Sequence, residues 1–179
     1  MSTLFVDTIN EKTSGNGVEI PGHVLQAKTA TKTDTQSTST NNTFVDITGL
    51  SVSITPSSTS SKILVLCSIC LSTSFYWNVV RILRDSTQIN PPDAAGSNRV
   101  LVNGVQTDPT AVTYTLQTIP ISILDSPSST SALTYKAQFN LLGSSSYASY
   151  VNYTGRDYDN ALGYDPRASS SITVLEIGG

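Results

Sequence analysis

Between Thr43 and Leu71 apolar residues recur at every second position through two long runs, and that period dictates strands rather than helices. The first run places Val45, Ile47, Leu50, Val52 and Ile54 on one face; the second places Ile63, Val65, Cys67, Ile69 and Leu71 there. Successive side chains of a strand point to opposite faces, so a period of two in β-branched residues describes a half-buried antiparallel sheet. The polar stretch Pro56-Ser57-Ser58-Thr59-Ser60-Ser61 between the runs is the turn that joins them. The spacing slips once, at Gly49, which predicts a β-bulge.

The same pattern continues along the chain and no segment carries a helical period. Strands are expected at Val24 to Thr35, where threonines alternate, at Trp77 to Asp85, near Arg99 to Val102, and at Ala111 to Leu116. Others are expected at Thr118 to Leu124, Leu133 to Leu141, Tyr147 to Tyr153 and Ser171 to Ile177. Asn103-Gly104 reads as loop, and Trp77, a large aromatic within a strand, reads as core. Many short strands punctuated by turn residues predict an all-β fold, an antiparallel β-sandwich of jelly-roll type. A short extended N-terminal arm, residues 1–23, precedes a head of residues 24–179. The arm holds two short strand patterns around a Gly-rich turn, with Leu4, Phe5, Val6, Ile9, Val18 and Ile20 as its apolar residues. Two such strands cannot bury their apolar sides alone, so they need another body to lie on.

The side chains that carry chemistry are scarce. A net charge of −3 offers no basic face for nucleic acid, and solubility rests on 27 Ser and 24 Thr. Neither a signal peptide nor a membrane span is readable. Cys67 and Cys70 form a C-x-x-C, but three residues apart on a strand they point to opposite faces. They read as two buried thiols, not a disulfide or a metal site. His23 is the one histidine and sits in a Pro-Gly turn with no nucleophile motif, so no catalytic triad is expected. Asp157 and Asp159 are too close on one loop for the opposed carboxylates of glycoside cleavage. Asp157-Tyr158-Asp159-Asn160 lacks the glycine and glutamate of a calcium loop. The sequence therefore predicts no enzyme, no cofactor and no metal.

Five of eight tyrosines gather near the C-terminus, at 147, 150, 153, 158 and 164, among Arg156, Asp157, Asp159, Asn160, Asp165 and Arg167. Aromatic faces stack on sugars while carboxylates and amides reach hydroxyls. Tyr150, Tyr153, Arg156, Asp157, Tyr158, Asp159 and Tyr164 are the candidate contacts for a host-surface glycan.

The arm, from Phe5-Val6-Asp7-Thr8-Ile9-Asn10 through Gly15-Asn16-Gly17-Val18, resembles the opening of tail-fibre-like and virion structural proteins of tailed bacteriophages, especially those of marine and cyanobacterial hosts. The head is similar to a C-terminal β-domain of the same proteins. The similar segments are Phe44-Val45-Asp46-Ile47-Thr48-Gly49-Leu50, Ser60-Ser61-Lys62-Ile63-Leu64-Val65, Leu124-Asp125-Ser126-Pro127, Thr134-Tyr135-Lys136 and Ala168 to Ile177. Together they span nearly the whole chain. The resemblance implies a non-enzymatic subunit on the virion surface, a homotrimer whose arm anchors it to another virion protein, on a tail appendage in preference to the capsid. Tyr76, Val79, Arg81 and Leu83 are the candidate trimer contacts. A capsid decoration and a free-standing lectin or adhesin are the alternatives. Fibre proteins of this kind carry long shafts between arm and head; here the head starts at Val24.

Overall fold

The computed structural model describes residues 22–74, 77–94, 96–107, 115–144, 146–159, 161 and 163–179. These residues form strands β1 (Val24–Lys32), β2 (Gln36–Thr38), β3 (Val45–Ile54), β4 (Lys62–Thr73), β5 (Trp77–Arg84), β6 (Thr87–Gln88), β7 (Gly104–Thr107), β8 (Gln117–Asp125), β9 (Leu133–Leu142), β10 (Ser149–Val151) and β11 (Ser170–Ile177). No helix occurs among the described residues.

The strands make two antiparallel sheets. One runs β1-β11-β4-β8, with β10 and β2 continuing beside the far end of β4; the other runs β3-β9-β5, with β6 and β7 both on the outer side of β5. Leaving aside the short β2, β6 and β10, the first strand pairs with the last, β3 with β9, β4 with β8, and β5 with β7. That nesting is a long hairpin rolled into a sandwich, which is the jelly-roll arrangement.

The inward faces follow the sequence pattern. Ile47, Leu50, Val52 and Ile54 of β3 and Ile63, Val65, Cys67, Ile69 and Leu71 of β4 are all buried, and they meet Val80, Ile82, Tyr135, Phe139, Ile172 and Val174 in one core. Gly49 has φ of +87°, and the β3–β9 register shifts between Asp46 and Ser51. That bulge lets Ile47 and Leu50, three residues apart, face the same way. Cys67 lies in the core while Cys70 sits on the other face of β4, its thiol near Thr118 Oγ1 and Ser169 O; both are free and buried.

Three sequence expectations change. Trp77 is 50% exposed: Asn78, Val80 and Ile82 take the inward positions of β5, so parity turns Trp77 outward. Buried Asn78 fills the inward slot by donating from Nδ2 to Ser72 O and to Gln106 Oε1, both within 2.8 Å. Residues 99–102 form no strand; the chain pairs with β5 at Gly104–Thr107 instead. Asn103 makes this possible, because its Oδ1 accepts from Ile82 N at 2.8 Å and its Nδ2 donates to Ile89 O, replacing strand partners with a side chain. Gly104 fits there because a Cβ would come within 2.5 Å of Ile119 Cγ2 in the facing sheet. In the third change, β10 covers only Ser149–Val151, since Asn152 at φ of +69° turns the chain out of the strand. The expected strand at 111–116 falls mainly outside the described residues, and 115–116 are not in a strand.

Candidate functional site

The tyrosine-rich segment leaves the sandwich at Asn152 and returns at Ser170. Asn152 is fully buried and anchors both ends of the excursion. Its Nδ2 donates to the carbonyls of Lys32 and Asp34, its Oδ1 accepts from Ser170 Oγ at 2.6 Å, and its backbone joins Cys70 O and Ala168 N. Every polar group of the residue is thereby satisfied, as a buried amide requires. Above it, Tyr153 and Arg167 form an isolated antiparallel bridge that closes the neck of the loop.

Tyr150 and Tyr153 meet edge to face with ring centroids 5.2 Å apart. Gly155 lies on the Tyr150 ring so closely that a Cβ would approach Cε2 to 2.5 Å. Both rings serve the base of the loop. Two ion pairs then brace the loop against itself. Arg156 Nη2 lies 2.6 Å from Asp165 Oδ2, and Thr154 Oγ1 donates to Asp165 Oδ1 at 2.8 Å. Arg167 grips both oxygens of Asp157, the shortest contact being 2.8 Å from Nη2. The hydrogen bond from Arg156 holds the Asp165 carboxyl below the usual aspartate range, and the bond to Asp157 raises the Arg167 guanidinium. The Asp165 carboxylate is almost wholly covered while Arg156 is partly open to solvent, and Arg167 and Asp157 are both partly open; the two pairs fix the course of the loop. Their effect here is geometric.

A concavity of about 420 Å³ opens on the loop, lined by Asp157, Tyr158, Asp159, Gly163, Asp165 and Arg167. Tyr158 and Tyr164 are 62% and 61% exposed. Of the candidate glycan contacts, Asp157, Tyr158 and Asp159 line this hollow, Arg156 supports it from behind through Asp165, and Tyr150 and Tyr153 lie beneath. Tyr164 is exposed but is not part of the lining. Gly163, which the sequence reading did not single out, enters the lining at φ of +64°. Asn160 lies outside the described residues.

Of the candidate trimer contacts, Val79, Arg81 and Leu83 lie on the outward face of β5. Val79 and Leu83 are 2% and 4% exposed within a single protomer, so neither presents a surface to a second copy. Arg81 is half-buried, its guanidinium 3.9 Å over the Phe44 ring and its Nε donating to Gln138 Oε1 at 2.7 Å. Gln138 in turn donates to Asp46, which also pairs with Lys136 at 2.9 Å. Tyr76 and the arm residues Leu4, Phe5, Val6, Ile9, Val18 and Ile20 lie outside the described residues.

His23 is exposed, and no group of three or more His, Cys, Asp or Glu among the described residues is placed to hold a metal ion. No helix among them is long and apolar enough to cross a membrane.

No protein-family model matches the chain, and no curated protein matches it in sequence. Among solved structures, a chain from the structure of infectious bursal disease virus, Gx strain, is similar at a TM-score of 0.35 and 14% identity. The match covers 96% of this chain and 43% of that one. A likeness of that degree carries no argument about role.

Proposed function

We propose that the protein is a non-enzymatic structural subunit of a tailed-phage virion. It is a homotrimeric appendage of fibre or spike type, held to another virion protein by its N-terminal arm and carrying a host-contacting loop at residues 152–169. The observation that carries this reading is the sequence resemblance of arm and head, which runs almost end to end. The nested strand order supports it, because a jelly roll is the fold that the resemblance implies; the fold alone assigns no role. A body of this kind works by standing firm, and the rigid bracing of the loop by Asn152, Arg156 and Arg167 suits a surface that must keep its shape.

Immunogold labelling of intact particles tests the proposal. Gold on tail fibres or tips supports the appendage. Gold spread over the capsid replaces it with a decoration protein. Gold on neither overturns the virion reading. A second reading, a free-standing lectin or adhesin, is favoured by one observation: Tyr158 stands 62% exposed at the rim of the loop concavity. Glycan binding by the isolated protein, lost in Tyr158→Ala and absent from particles, would bring that reading to the front.

A further inference from the structure

β4, β8 and β11 carry apolar residues on both faces, and the core accounts for one of them. Ile63, Val65, Ile121, Ile123, Ile172 and Val174 belong to the core. Leu64, Leu66, Leu124, Leu175 and Ile177 alternate with these and stand on the outward face of the sheet. The register gathers them. Leu175 pairs with Leu64 and Leu64 with Leu124, which makes one leucine row across three strands; Leu66 and Ile177 flank that row on β4 and β11. Leu66 is 38% and Leu124 58% exposed, while Leu64, Leu175 and Ile177 are half-buried. Single apolar residues are ordinary on a surface, but a contiguous patch of them marks a contact.

The face is also nearly free of charge. Lys62, at its margin, is the one charged residue on the outward positions of β1, β11, β4 and β8, and its Nζ donates to Ser126 Oγ at 2.9 Å. The outward face of the other sheet instead carries Arg81, Lys136 and Asp46. Around a symmetry axis each residue meets its own copies, so a charge placed there meets its like. Of the two outward faces, the leucine-bearing one suits such an axis.

We propose that the outward face of the β1-β11-β4-β8 sheet turns toward a threefold axis and packs there against the same face of two further copies of this chain. This contact rests on the homotrimer reading above and supplies the interface that buried Val79 and Leu83 do not. The dimensions suit it. Four strands spaced by about 4.8 Å make a face roughly 19 Å wide, and three such faces closed into a prism stand roughly 5.5 Å from its axis. Packed sheets keep about 10 Å between them, which leaves about 5 Å from each sheet to the middle of the side-chain layer they share. The interior of the prism is therefore filled by side chains of ordinary size. β11 and β4 are the two central strands of the face, so Leu175 with Leu64, and Thr173 with Leu66, lie nearest the axis.

The test uses the full-length chain, its Leu66→Lys variant and, as a control on the opposite sheet, Val105→Lys, whose position is 51% exposed. Each is sedimented at a concentration where the wild type is fully assembled, and circular dichroism reports the fold. The expected result is a trimer for wild type and Val105→Lys and a folded single chain for Leu66→Lys. Where Leu66→Lys loses its native circular dichroism, Leu66→Thr takes its place, a change that keeps strand propensity and adds no charge, and it should weaken assembly at least tenfold. Three trimers of equal strength overturn this face and leave the homotrimer reading standing. Dissociation by Val105→Lys alone moves the contact to the other sheet and overturns the proposal. A wild-type dimer overturns the threefold closure, and a wild-type monomer removes both the face and the homotrimer reading.

Discussion

Arg84 on β5 and Asp125 on β8 tie the two sheets together, the arginine Nη1 lying 2.7 Å from the aspartate Oδ2. The same oxygen accepts from the hydroxyl of Tyr135, the largest fully buried side chain of the core, also at 2.7 Å. Burial, with Asp125 beside it, pushes the Tyr135 phenol far above its ordinary range, so it stays a donor throughout the working pH range. Asp125→Ala strands a buried hydroxyl and a three-quarters buried guanidinium. We expect a loss of about 2–3 kcal/mol by urea unfolding. Tyr135→Phe keeps the ion pair and should cost about 1 kcal/mol. Equal losses for the two would show that the ion pair contributes nothing.

Asn152 combines a left-handed backbone with a complete set of partners, so its two roles can be separated. Asn152→Gly loses the side-chain bonds but relaxes the backbone; Asn152→Ala loses the bonds and adds strain at φ of +69°. Both should destabilise, with alanine worse by about 1 kcal/mol. Thermal unfolding that ranks glycine below alanine would contradict the backbone argument.

At Gly104 the neighbour is a β-branched side chain with little room to move, so Gly104→Ala should cost about 1–3 kcal/mol. The clash is with Ile119 Cγ2, which predicts a smaller cost when Ile119→Ala is already present. A double-mutant cycle measures the difference; strict additivity would place the strain elsewhere.

Much of this could be read from the chain, and the reason is that β-pattern is local. Val45 to Ile54 and Ile63 to Leu71 announce their faces by alternation, and Gly49 announces its bulge because no other residue type suits that backbone so well. β5 was harder. Its residues are apolar on both faces, so alternation does not say which side is core, and the inward slot went to Asn78 and not Trp77. The strand at Gly104 was hidden for a related reason: Asn-Gly signals a turn locally, and only the facing Ile119 explains why a residue without a side chain lies in a strand. At the candidate site, the cluster of tyrosines and charges was visible as composition. Which arginine grips which aspartate was not, since those pairings depend on the path of the loop.

Glu176 gives the stability a pH dependence. Burial pushes its carboxyl up, but hydrogen bonds from Gln26 and from Ser57 outweigh this and hold it below the ordinary value of 4.5. The unfolded chain then takes up the proton first. The contribution is fully present above about pH 4.5 and is lost as pH falls through the lower folded value. Urea midpoints measured from pH 6 down to 3 should decline, and Glu176→Gln, less stable at neutral pH, should decline less steeply. An identical slope in the variant would remove Glu176 from the account.

Burial raises the Cys67 thiol to about 12, so it carries almost no thiolate at neutral pH. Thiol reagents should label neither Cys67 nor Cys70 in the native protein and both after denaturation. Rapid native labelling would mean that β4 opens locally.

The nesting of first strand with last also sets an order of events during synthesis. β11 lies between β1 and β4, and Ala27 waits for Leu175. Until β11 has been synthesised, two long strands that were made early lack their partner on that side. Synthesis of β11 is thus the step that seals the sheet, and a product cut short before Ser170 would leave the flanks of β1 and β4 unpaired and open to other chains.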